Sequence, residues 1–152
     1  MARRLVTRKK WESDEWRVTS DEIYDTTLDM NTPTRSYKDL LVWKKGIELA
    51  KLIYQLTKNY PSEEKFGLVS QMRRAAVSIP SNLAEGQARH TTGEFIQFIS
   101  HAEGSVAELD TQLILSIELG FAFEKHAEPA FGLVNELRKM LNVLRRRLST
   151  RD

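Results

Sequence analysis

From Leu40 onward, apolar residues recur at alternating intervals of three and four, whereas the first 35 residues carry no sustained stripe of this kind. Leu40, Trp43, Ile47, Ala50, Tyr54 and Thr57 follow the spacing that keeps one helix face turned to a neighbour. This first helix is predicted to stop at NYPSEE, where Pro61 intervenes. Ser62 is the expected cap of a second helix, whose first turn carries Glu63 and Glu64 where carboxylates meet unpaired amide hydrogens. Its inward face is Phe66, Val69, Met72, Ala76 and Ile79. A third helix is predicted from Thr91, which stands three residues before Glu94 at capping-box spacing, with Thr92 as the alternative cap. Its face runs Phe95, Phe98, Ala102, Val106, Leu109, Leu113 and Ile117, and Gly120 follows the last periodic residue. The fourth begins between Phe123 and Pro129, with the proline tolerated in a first turn, and continues through Val134, Leu137, Leu141, Leu144 and Leu148.

No segment alternates as a strand does. Four long amphipathic helices joined by short turns predict an all-α fold, an antiparallel up-down-up-down four-helix bundle over residues 37–150. Residues 1–36 are set apart as an N-terminal arm, ending in TPTRS, with a short helix expected near Ser20 to Leu28. Trp11 and Trp16 either dock on the body or on another subunit, or ride on a disordered arm. At 152 residues the chain is one domain's worth of protein, long enough to bury roughly two thirds of its unfolded surface.

The stretch RRAAVSIPSNLAEG, residues 73–86, interrupts a helical pattern with a proline. Pro80 in mid-helix costs about 3 kcal/mol, because it lacks an amide hydrogen and clashes with the carbonyl four residues back. Yet Ala75, Ile79, Asn82 or Leu83, and Gly86 continue one face across it, so a single kinked helix from about Ser62 to Ala88 is predicted. Arg74, Ser78, Asn82 and Glu85 form a polar line along the same segment. The third helix offers Ala102, Ser105, Glu108 and Gln112 at matching intervals, with Gly104 allowing close approach. The two lines are expected to meet as a partly buried seam in which Arg74 pairs with Glu108 or Glu103, and Ser78 and Asn82 reach carbonyls freed by the proline. Such a seam specifies packing and register. A ligand or nucleic-acid site and a role in subunit assembly are the alternatives.

The run PSEEKFGLVSQMRRAAVSIPSNLAEGQAR lies between SYKDLLVWKKGIELAKLIYQLTKNY and GEFIQFISHAEGSVAELDTQLILSIELGF. Together these segments resemble the four-helix-bundle proteins encoded within intervening sequences of bacterial 23S ribosomal RNA genes. The resemblance spans about Tyr37 to Leu148 and is carried by Trp43, by Gln71, Arg74, Ser78, Pro80, Asn82, Glu85 and Gly86, and by Glu94, Phe95, Phe98, Gly104, Ser105 and Glu108. It implies an up-down bundle assembling into a homopentameric ring, with a poorly defined role and no established enzymatic activity. A more distant likeness in fold and assembly is to the accessory proteins of diversity-generating retroelements, which bind nucleic acid and a reverse transcriptase. The arm is a departure from the usual family member.

Composition narrows the chemistry. With no cysteine, disulfides, thiol catalysis and cysteine-ligated zinc are excluded. The N-terminus lacks the apolar run of a secretory signal, and no stretch approaches the roughly 18 apolar residues of a membrane span, so a cytoplasmic protein without membrane association is expected. His90, His101 and His126 fall on different elements and miss the Glu-x-x-His spacing of bundle metal sites, and Ser78 has no histidine at helical spacing. No enzyme, cofactor or metal is expected.

The net charge of +2 is too small to imply a polyanion partner, but its distribution is uneven. Residues 12–29 hold seven acids against Arg17 alone, and residues 92–128 hold seven against Lys125. Basic blocks stand at Arg3, Arg4, Arg8, Lys9 and Lys10, and at Arg138, Lys139, Arg145, Arg146 and Arg147. Solvated helix faces, nucleic-acid binding and charge-matched subunit contacts all account for such a pattern. The resulting expectation is a non-enzymatic homo-oligomer that binds RNA or DNA through phosphate contacts on basic rims of a ring, together with a protein partner. The alternative is a structural or regulatory protein-interaction assembly without nucleic-acid binding.

Overall fold

Each amphipathic segment closes into a helix, and their apolar faces meet in one core. The computed structural model describes residues 36–150, in which four α-helices follow one another: α1 (Leu41–Thr57), α2 (Leu68–Gln87), α3 (Thr92–Glu118) and α4 (Glu124–Ser149). Short 3-10 turns at Tyr37–Asp39 and Ser62–Phe66 precede α1 and α2, and the described residues contain no strand. Each helix packs on its neighbours in sequence, and α1 packs on α4, which closes the four-helix bundle. The antiparallel register is visible in paired contacts. Glu103 of α3 meets Arg145 of α4, and seven residues further up α3, Asp110 meets Arg138, seven residues back along α4. The expected arm, including Trp11, Trp16 and the short helix near Ser20, lies outside the described residues.

Three of the four stripes are close to those read from the sequence. Val69, Met72, Ala76 and Ile79 of α2 are buried, as are Ala102, Val106, Leu109 and Leu113 of α3 and Val134, Leu137, Leu141, Leu144 and Leu148 of α4. On α1 the stripe is displaced. The buried positions are Val42, Lys45, Gly46, Leu49, Ile53 and Thr57, whereas Ile47 and Tyr54 are exposed and Trp43 is only partly covered. The physical reason lies at Gly46, where an added Cβ would stand 3.3 Å from the Pro80 ring. Only the face carrying that glycine can approach α2 so closely, and Trp43, Ile47 and Tyr54 are rotated onto the flank.

The helix ends explain two further departures. Residues 62–66 form a 3-10 turn rather than the start of α2, so Phe66 points outward with 89% of its surface exposed, and Ser62 caps nothing. Glu64 does the capping from outside, its Oε2 accepting the Leu68 amide at 3.0 Å. Pro129 falls in the sixth position of α4, one turn later than expected, on the exposed side. At α3 the start is as read: Thr91 accepts the Glu94 amide at 3.2 Å and its hydroxyl donates to Glu94 Oε2 at 2.8 Å. The end is a Schellman turn, with Gly120 at φ 74°, its amide on Ile117 O and the Phe121 amide on Ser116 O, both at 2.9 Å.

Pro80 does not end α2, which runs unbroken from Leu68 to Gln87 with the proline buried inside it. Gly86, one and a half turns on, faces α3. A Cβ there would stand 2.6 Å from Phe98 Cβ and 2.9 Å from Phe95 Cδ2. Gly86→Ala is therefore expected to force α2 and α3 apart and to lower stability by about 1–3 kcal/mol, read from urea unfolding followed by circular dichroism.

Tyr60, buried in the α1–α2 connection, packs its ring 5.9 Å from that of Phe121 in the α3–α4 connection. Burial raises the pKa of its hydroxyl above the ordinary tyrosine value, and the Ser116 hydroxyl works partly the other way. The folded protein thus holds this proton at a pH where the unfolded chain releases it. The corresponding stability is present below about pH 10 and is lost as pH rises beyond it. Tyr60→Phe is expected to flatten the fall in stability between about pH 9 and 11, measured by unfolding at each pH.

Candidate interaction surface

The polar line on α2 meets α3 at one point. The hydroxyl oxygens of Ser78 and Ser105 lie 2.6 Å apart, with Ala75 O 2.7 Å from the first and His101 O 3.1 Å from the second. Both protons therefore have acceptors whichever hydroxyl donates across the interface. Asn82 Nδ2 donates to Ser78 O at 2.7 Å. These bonds use the carbonyls of Ala75 and Ser78, rather than that of Ala76, which is the one Pro80 leaves without its helical donor.

The charged part of the expected seam is absent. Arg74 is exposed and makes no ion pair or hydrogen bond among the described residues, because both acids assigned to it are engaged elsewhere. Glu103 receives Arg145 Nε at 3.1 Å, and Glu108 accepts from Gln112 Nε2 at 3.1 Å. Glu85 pairs with Arg89 on the surface at 3.0 Å, and Arg89 lies 4.8 Å over the Phe98 ring. Gln112 is buried, and its Oε1 has no protein partner. Gly104 is exposed and meets no neighbour, so the close approach belongs to Gly86 instead.

Two polar contacts were not anticipated. Arg73, rather than Arg74, is the structural arginine: its Nε donates to Thr57 Oγ1 at 3.0 Å, and its guanidinium lies 4.5 Å over the Tyr54 ring, tying α2 to the end of α1. Lys45, only 3% exposed, sits with Nζ 3.1 Å from Glu136 Oε2 on α4, an ion-pair contact rather than an aligned hydrogen bond. The available signal was that Lys45 falls between apolar positions of the true stripe, which could be recognised only with the rotation of α1 in hand.

The basic block of α4 divides by partner. Arg138 and Arg145 turn onto α3 and pair with Asp110 at 2.9 Å and Glu103 at 3.1 Å. Lys139 and Arg146 are exposed, and Arg146 and Arg147 lie in the last turn, where cations complement the helix dipole. Arg3, Arg4, Arg8, Lys9 and Lys10 lie outside the described residues. The histidines do not converge: His101 stacks edgewise on Phe98 and His126 on Phe123, and among the described residues no group of three or more histidines or acids could hold a metal. No helix in the described residues is long and apolar enough to cross a membrane.

What the surface offers instead is apolar. Ile47, Tyr54, Phe66, Val77, Ile114, Leu115, Leu119 and Phe123 are exposed, several of them near the end where the α1–α2 and α3–α4 connections lie. At that end an open groove of about 520 Å³ runs between Leu52 and Leu56 of α1 and Pro129 and Ala130 of α4, rimmed by Phe121 and Phe123. The serine pair ties α2 to α3. Ser78→Ala is expected to cost about 1 kcal/mol, and the double variant with Ser105→Ala less than the sum of the two, in urea unfolding of all four combinations.

Residues 38–143 match the family model of the 23S rRNA-intervening sequence protein. Among solved structures, the chain is similar to a protein of unknown function from the S23 ribosomal protein family of Bacteroides thetaiotaomicron. The two are 23% identical, the match covers 68% of this chain and 97% of that one, and the TM-score is 0.62. No curated protein matches the sequence.

Proposed function

The chain belongs to the 23S rRNA-intervening sequence protein family, and from that premise we propose that it acts as a non-enzymatic, self-associating helical scaffold whose exposed apolar faces engage other protein surfaces. The observation that carries this reading is the number of large apolar side chains left in solvent on a 115-residue bundle, with Phe66, Phe123, Leu119 and Ile114 each more than half exposed. Large apolar side chains exposed to this extent favour interaction surfaces over solvated helix faces. Protein contact is favoured over phosphate binding because Arg138 and Arg145 are already matched by carboxylates of α3. Two arginines matched in this way contribute fewer released counterions on meeting a nucleic acid.

Gel filtration coupled to light scattering tests the reading on the intact chain, alone and with a labelled RNA duplex at about 50 mM salt. The expected result is a particle of several chains, about five times 17.6 kDa if the ring implied by the resemblance forms, with the RNA eluting separately. A 17.6 kDa particle at tens of micromolar would overturn self-association. Co-elution of RNA that fades with added salt would move the function to phosphate binding through Lys139, Arg146 and the basic residues of the arm.

A further inference from the structure

We propose that the outer face of α1 and α2 and the outer face of α3 are complementary halves of one head-to-tail contact between copies of this chain. The inference rests on the self-association put forward above and assigns its surfaces. On α1, Trp43, Ile47, Ala50 and Tyr54 form a second apolar stripe beside the core stripe, with Ile47 38% and Tyr54 43% exposed. Val77 of α2, 42% exposed, comes to the same level, because Gly46 opposes Pro80 below it and Tyr54 lies under Arg73 above it. Lys44, Lys58, Arg73 and Arg74 surround this apolar centre, with Glu48 as the acid among them. The face is apolar with a positive border.

α3 has the opposite character. It carries Glu94, Glu103, Glu108, Asp110 and Glu118 and no lysine or arginine. Glu103 and Asp110 turn inward to α4, while Glu108 and Glu118 stay exposed on a line with Thr111 and Leu115 at helical spacing. Leu115 is 45% exposed, and Ile114 and Leu119 beside it are 51% and 53%. This face is apolar with a negative border.

Pairing either face with its own copy would oppose like charges, Arg73 and Arg74 in one case and Glu108 and Glu118 in the other. Pairing one with the other sets apolar centre against apolar centre and cations against carboxylates. The two faces lie on different sides of the bundle, so the contact is heterologous and each copy uses both. α1 and α2 are about 26 and 30 Å long, and side by side they present a face of the same order as the roughly 800 Å² per partner that a stable interface needs.

Two full-length variants separate the faces. Ile47→Asp with Val77→Asp disables the α1–α2 face, and Glu108→Lys with Leu115→Lys disables the α3 face. Light scattering is expected to give one chain for each variant alone, and a complex of two chains, no larger, when they are mixed. If one variant falls to a single chain while the other still self-associates, or if both keep the wild-type mass, the face assignment is overturned. A wild-type chain that is itself a single chain fails earlier, at self-association. Should either variant lose helicity, Arg74→Glu serves instead, since that side chain is exposed and makes no bond among the described residues. It is expected to weaken association on the order of tenfold at low salt, with the difference shrinking as salt rises. Unchanged association in Arg74→Glu would equally overturn the assignment.

Discussion

The close approach of α2 to both of its neighbours is the constraint on which the remaining geometry depends. Pro80 presents its ring to Gly46 of α1, and Gly86 presents bare backbone to Phe95 and Phe98 of α3. A proline inside a helix gives up one backbone hydrogen bond, and here burial of the ring against α1 at Gly46 helps to offset that loss. Once the axis is fixed at these two points, α2 cannot rotate. Ser78 is then opposite Ser105, Met72 lies beside Ser116, and Arg73 comes down over Tyr54. The stretch from Arg73 to Gly86 is thus a packing element.

How much of this was legible in the sequence depended on how many faces each helix could plausibly bury. On α2, α3 and α4 one apolar stripe dominates, and most of its predicted positions are those found buried. α1 carries two stripes about 100° apart, and periodicity cannot choose between them. Gly46 chooses, through a contact with a residue 34 positions later, and a single helix contains no sign of it. Phe66 was misplaced for a local reason, since a 3-10 turn breaks the 3.6-residue period that placed it inward. The serine pair was readable because both hydroxyls lie on the flanks that α2 and α3 share. The partner of Arg74 was not, because two carboxylates within reach on the sequence had stronger claims made on them by α4 and by Gln112.

Charge follows the same logic of register. α3 holds acids only, and α4 answers two of them with Arg138 and Arg145 at a matching spacing of seven residues. These pairs are partly solvated, and each contributes modestly to stability. Their larger consequence is for the surface. A block that reads as strongly basic in sequence is, in three dimensions, a partly neutralised flank, and the unmatched carboxylates of α3 are left on its outer side. The sign of each part of the surface is therefore set by which charges are matched across neighbouring helices, something that net charge alone does not disclose.

One edge of the bundle has no turn to enforce it. α1 and α2, α2 and α3, and α3 and α4 are each joined by a short connection that limits how far one helix can slide on the next. α1 and α4 are joined only through the other two, so side chains must set their relative height. Lys45 and Glu136 are suited to that task. A slide of one helical turn, about 5.4 Å, would carry the ammonium away from this carboxylate while leaving it among buried apolar neighbours. A shifted apolar pair would still find apolar contacts, but a buried cation displaced from an acid carries a cost of desolvation that alternative registers do not recover. Further along the same edge, between Leu52, Leu56, Pro129 and Ala130, the helices leave an open groove lined in part by apolar side chains, where the register of α1 on α4 is held less closely than at the buried pair.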